Sequence, residues 1–113
     1  MNPLPQVIDD RGFRYTQIAR ECEVALYGQS YPGSKPFAYE VIIVQSHNGR
    51  ECFGKTYPPS EYYPSATQWG QAGWTVSGYP DSLAEARVFM RALIDKRESR
   101  KRAKTLDIPP QSP

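Results

Sequence analysis

Apolar residues alternate with polar ones through the first half of the chain and switch to helical spacing near its end. Phe13 to Arg20 is a first strand region. In the next, Cys22, Val24 and Leu26 alternate with Glu21, Glu23 and Ala25, the pattern of a half-buried strand over Cys22–Tyr27. Residues 28–36, GQSYPGSKP, have the glycine, proline and serine content of a loop. The strongest strand is FAYEVIIVQS (37–46), and its run Val41–Val44 is apolar on both faces, which predicts a central place in a sheet. Asn48-Gly49 between β-like runs predicts a two-residue hairpin, with His47 opposite Arg50, Gln45 opposite Cys52 and Val44 opposite Phe53. One face then carries Tyr39, Val41, Ile43, Cys52 and Thr56, and the other Glu40, Ile42, Val44, Phe53 and Lys55. The first is the more apolar, so a helix is expected over it. Phe53 would then need a second layer, for which the aromatic segment downstream is the nearest candidate.

Leu83, Ala86, Phe89, Met90, Leu93 and Ile94 recur three and four residues apart, as on one face of an amphipathic helix. Ser82-Leu83-Ala84-Glu85 is a capping-box pattern that starts it, delivered by Tyr79-Pro80-Asp81. Pro3 and Pro5 make residues 1–11 an expected loose arm, and 98–113 reads as a basic, proline-containing tail that should fray beyond 105. The prediction is a single α+β domain with its folded core over 12–97. It has an antiparallel sheet of about four strands, one C-terminal amphipathic helix packed on one face, and an ordered aromatic loop.

That loop is the most unusual stretch. Six of the fourteen aromatic residues fall in the 23 positions from Tyr57 to Tyr79, which carry one charge, Glu61. Pro58, Pro59 and Pro64 with Gly70, Gly73 and Gly78 make it a poor helix and a poor long strand. It is also too aromatic for a disordered linker. Its rings are therefore either core or binding surface. Trp69 and Trp74 favour core, closing the open sheet face. Tyr62 and Tyr63, flanked by proline, favour an exposed patch of the kind that anchors a protein partner or a second copy of the chain. Stacking of nucleic-acid bases on these rings is a third possibility, opposed by the lack of positive charge beyond Lys55.

The net charge of +2 conceals an asymmetry: residues 95–104, DKRESRKRAK, carry +4 and the rest of the chain −2. Attraction to nucleic acid would therefore come from Arg97, Arg100, Lys101, Arg102 and Lys104, with affinity that falls with salt and without sequence specificity. The ordinary structural account of such a stretch is a solvated helix end.

Catalytic patterns are absent. His47 is the single histidine, and a lone histidine beside an Asn-Gly turn fits an exposed turn residue. Cys22 and Cys52 lie in predicted strands as small buried hydrophobes, and with His47 they supply too few nitrogen and sulfur ligands for a structural zinc. Asp9-Asp10 and Glu21/Glu23 do not form a catalytic carboxylate pair, and residues 70–73 do not form a phosphate loop. No enzyme, cofactor, metal, membrane or small-molecule substrate is expected. The N-terminus shows no signal peptide and no segment is apolar enough to span a bilayer, so the expected location is cytoplasmic, with reduced cysteines.

Tyr39-Glu40-Val41, Tyr63-Pro64-Ser65 leading into Trp69-Gly70-x-x-Gly73-Trp74-Thr75, and a helix bearing Ala86 and Phe89 resemble a group of small uncharacterised proteins of phages and mobile elements. The resemblance spans about Tyr15 to Leu93. Its distinctive part is the Trp-Gly-x-x-Gly-Trp motif, and the basic C-terminal extension departs from the group. It implies an accessory role in such an element, with no activity or catalytic residue to transfer. The expectation is a non-enzymatic interaction module that presents Tyr62, Tyr63, Trp69 and Trp74, with nucleic-acid binding as the alternative.

Overall fold

The computed structural model describes residues 1–77 and 82–106, the side chains of Cys52 and of 102–106 excepted. It is an α+β fold built on a five-stranded antiparallel sheet with one helix packed on it. The strands of the main sheet are β1 (Val7–Asp10), β2 (Phe13–Glu21), β3 (Val24–Ser30), β4 (Ala38–Ile43) and, from the far side of the aromatic loop, β9 (Gly73–Val76). They lie in the order β1-β2-β3-β4-β9. Two small ladders complete the element order. β5 (Gln45–His47) pairs with β8 (Ser60–Tyr62), and β6 (Arg50–Cys52) pairs with β7 (Lys55–Tyr57). The helix α1 runs from Ser82 to Leu106.

Alternation sorts the side chains as expected for the central strands. Val24, Leu26 and Val41 face Ala86, Met90 and Ile94 of α1, with Ile18, Tyr39, Leu83 and Phe89 at the margin. Ala25, Tyr27, Ile42 and Val44 face the other way, onto Leu4, Tyr63 and Trp69. The helix thus covers the Tyr39/Val41 face. The aromatic loop supplies the second layer.

Three local expectations are corrected. The arm expected over 1–11 contributes β1, buries Leu4 and bonds the Pro5 carbonyl to the Tyr27 hydroxyl at 2.6 Å. Pro3 and Pro5 lie ahead of the β1–β2 pairs, which begin at Val7, so they cost that ladder nothing. Cys22 is exposed, because it sits in the β2–β3 turn at φ +54 instead of in a strand. The third concerns the Asn48-Gly49 hairpin. His47 pairs with Ser60 and Gln45 with Tyr62, while Arg50, Glu51 and Cys52 pair with Tyr57, Thr56 and Lys55. The two-residue turn is Phe53-Gly54, at φ +52 and +75, and Phe53 is 100% exposed where a second layer was expected. Gly49 keeps a positive φ, +98, but uses it to turn the chain out of β5 into a separate hairpin. A tertiary contact overrides the local turn preference here: Glu61 of β8 is held by Arg20 and by the Leu4 amide, so β8 takes the place beside β5.

Residues 78–81 and 107–113 lie outside the described residues, so the delivery of the chain by Tyr79-Pro80-Asp81, any cap before Ser82 and the end of the tail do too. The burial expected of the Cys52 side chain also lies outside them. Through 98–106 the basic stretch is a continuation of α1.

Candidate binding cleft

The motif Trp69-Gly70-x-x-Gly73 builds one wall of a cleft. A turn of 3-10 helix, Ala66–Gln68, leads into Trp69, and Gly70 at φ +90 reverses the chain. The Gly70 amide donates to the Gly73 carbonyl at 2.7 Å, and the Ala72 carbonyl accepts from Ile43 of β4 at 2.8 Å. The Trp69 ring folds back onto Gly73, where a Cβ would overlap its benzo ring atoms Cζ3, Cε3 and Cη2. Its indole N–H donates to Thr75 Oγ1 at 3.0 Å. The spacing of the motif is thus a ring laid in the space a side chain would fill.

Tyr63 stacks on Trp69, ring centroids 6.4 Å apart and planes inclined by 20°, and meets Tyr27 edge-on at 5.3 Å and Tyr15 at 6.0 Å. Its hydroxyl donates to Glu40 Oε1 at 2.6 Å. Glu40 is 8% exposed, on the same sheet face as Ile42 and paired across to Tyr27 and Thr75. Burial raises the Glu40 carboxyl above its ordinary value, against the opposing effect of the Tyr63 bond. The Tyr63 hydroxyl is pushed up by burial and then by the Glu40 charge, so it acts as a donor. Tyr15 is raised by burial, with Glu40 and Asp10 adding to it.

These groups line an open cleft of about 770 Å³, within the range of small-molecule and side-chain sites. Glu40 is buried at its floor, Thr75 is exposed at its edge, Tyr15, Tyr63 and Trp69 form its aromatic wall, and the β1–β2 turn brings Asp9, Asp10 and Arg11 to its mouth. Asp9 is held by Arg14 at 2.8 Å, which lowers its carboxyl.

Of the four aromatic residues expected to form one patch, Tyr63 and Trp69 come together at this cleft. Tyr62 points elsewhere, 43% exposed with its ring 5.9 Å from His47. Trp74, expected with Trp69 to close the open sheet face, lies instead on the helix side, ring to ring with Phe89 at 5.3 Å, because it alternates with Gly73 and Thr75 along β9. His47, expected as an exposed turn residue, is half-buried in β5. Of the basic residues, Arg97 is ion-paired with Glu23, Lys101 lies 3.9 Å from the same carboxylate, and Arg100 is exposed. Arg102 and Lys104 are helical, with side chains outside those described.

Glu40, Tyr15 and Asp10 were not among the site residues expected from the sequence. The readable trace was a carboxylate in period with Ile42 and Val44, a charge on an otherwise apolar strand face. Among the described residues no group of three histidine, cysteine or carboxylate residues gathers to hold a metal, and no helix is long and apolar enough to cross a membrane. Comparison with protein-family models, curated proteins and solved structures finds no match.

Proposed function

We propose that this chain is a non-enzymatic interaction module whose recognition surface is the cleft walled by the aromatic loop, and that its partner is a protein. The observation that carries this reading is a buried carboxylate at the floor of an open, ring-walled cleft, held by one neutral donor. Preformed concave sites with aromatic walls and one or two placed polar groups are built for binding. The loop contributes rigidity: Tyr63 and Trp69 are locked by packing, so a ligand meets them in place and costs them little ordering entropy.

Site-directed photo-crosslinking tests this. A crosslinker at Ala66, exposed at the cleft rim, should capture a protein in cells that contain the natural partner. The same crosslinker at Val88, on the outer face of α1, should not. Equal capture at both positions, or capture at Val88 alone, removes the cleft from the function.

A second reading, nucleic-acid contact through the end of α1, is favoured by the helix running on to Leu106 beyond Ile94, its last residue in the core. A gel shift at low salt that disappears when the chain is truncated after Asp95 would support it. No shift at low salt ends it.

A further inference from the structure

We infer, resting on the binding-module reading, that the cleft receives an alkylammonium group against Glu40, supplied in the partner by a lysine side chain. The argument begins with the two oxygens of Glu40. Oε1 accepts the Tyr63 hydroxyl at 2.6 Å. Oε2 has no hydrogen-bond donor among the described residues, yet it is not among sealed, unsatisfied polar atoms, so it faces the cleft that Glu40 lines. None of the ion pairs formed among the described residues involves Glu40. A carboxylate nine-tenths buried without a counter-ion is costly to the fold. A ligand cation offsets that cost at the moment it binds.

The surroundings select the sign and the shape of the ligand. The ionisable side chains that line the cleft are Asp9, Asp10 and Glu40 against Arg11, with Tyr15 and Tyr63 as neutral phenols. An anion would meet the buried carboxylate at the floor. A cation gains Glu40 and the π systems of Tyr15, Tyr63 and Trp69 together, an arrangement whose attraction grows as water is excluded. Between the two protein cations, the carboxylate geometry decides. A guanidinium prefers both oxygens of a carboxylate in a parallel fork, and one of these is already committed to Tyr63. An ammonium is a compact charge that needs one open oxygen, and one is open.

The test uses the full chain and the indole N–H signal of Trp69, identified by Trp69→Phe, with Trp74 on the far side of the sheet as the internal control. The probes are n-butylammonium, n-butylguanidinium, n-butanol and a capped tripeptide Gly-Lys-Gly with its acetyl-lysine counterpart. The ammonium and the lysine peptide are expected to move the Trp69 signal and leave that of Trp74 in place. n-Butanol and the acetylated peptide are expected to bind at least about tenfold more weakly, the scale of one charge-assisted hydrogen bond. Glu40→Gln, which keeps the acceptor for Tyr63, should weaken the ammonium by a similar factor. Equal binding of ammonium and alcohol overturns the inference, and so does tighter binding of the guanidinium. No movement of the Trp69 signal by tens of millimolar ammonium also overturns it, and these comparisons need no variant. Spermidine bound tightly with no response to the lysine peptide overturns the lysyl assignment and makes the ligand a free amine. Capture of a protein at Ala66 without ammonium binding sinks this inference and leaves the protein-binding reading. Ammonium binding without capture at Ala66 sinks the protein-binding reading.

Discussion

The two faces of one sheet are closed in different ways. Beneath α1 the fully buried contacts are aliphatic, Val24, Leu26 and Val41 against Ala86, Met90 and Ile94, with the rings of Tyr39, Trp74 and Phe89 kept to the half-buried margin. Beneath the loop they are aromatic and hydroxylated: Tyr27 with Gln17 and Pro5, Tyr63 with Glu40, Trp69 with Thr75. An aliphatic layer can close by collapse, since hydrophobic burial is not directional. A layer of tyrosine and tryptophan has polar tips that must each find a partner, so its geometry is set bond by bond. That is why the cleft is on the loop side. A layer that satisfies its hydroxyls at chosen points leaves concave space between them.

The sharpest break of this comparison is expected on the helix side. Leu26→Ala removes a fully buried side chain and should cost about 3 kcal/mol in urea-measured stability. The spectrum of the remaining folded fraction should keep the Trp69 indole signal where it was. A loss below about 1 kcal/mol would mean that the aliphatic face is not the main anchor.

On the loop side, Gly73→Ala should cost about 2 kcal/mol by overpacking, because the added methyl lies within the Trp69 ring. Here the Trp69 signal should shift while the Trp74 signal stays. An unchanged Trp69 signal would refute the ring-on-glycine account of the motif.

Acid should loosen the loop. Glu61 is held down at about 2 by the Arg20 fork, the Leu4 amide and, more weakly, the N-terminal ammonium. Its contribution is full above the ordinary carboxylate range near 4.5 and is lost as pH falls toward 2. Stability should decline across that window, and Glu61→Gln should flatten the decline. An equally steep loss in the variant would assign acid sensitivity to other carboxylates.

The smallest effect has the opposite sign. The Glu40 carboxyl is raised by burial, so the stability it supports is complete at low pH and is lost as pH rises through its folded-state value. Glu40→Gln should therefore raise the urea midpoint at pH 8 more than at pH 4. A variant less stable at pH 8 would show that the ionised group is satisfied after all.

What the sequence disclosed follows physical lines. The helix, the central place of Val41–Val44 and the face α1 covers were legible because burial imposes periods of 3.6 and 2 on the apolar residues. Of the two tryptophans expected to close the second face, Trp69 does so, while Trp74 packs on the helix side against Phe89. Both rings were expected on one face; the alternation of Trp74 with Gly73 and Thr75 along β9 is what sends Trp74 to the other. The arrangement around Glu61 was not legible. Its partners, Arg20 and Leu4, lie 41 and 57 positions away, and no local pattern marks a long-range fork. The same contact misdirected the turn assignment, since Asn48-Gly49 announces a hairpin and nothing nearby announces the strand that displaces it. The cleft was hidden for a related reason: Tyr15, Glu40 and Tyr63 meet only once the sheet and the loop are both in place.

One consequence remains in the β6–β7 hairpin. Every side chain described from Asn48 to Pro59 is exposed, and the segment leaves and rejoins the body at β5 and β8, which are hydrogen-bonded neighbours. Such an excursion has its exit and return side by side, so its length is decoupled from the rest of the chain. A peptide tag, a fluorophore or an affinity handle spliced at Phe53-Gly54 would ride outside the domain while the cleft behind it keeps its shape.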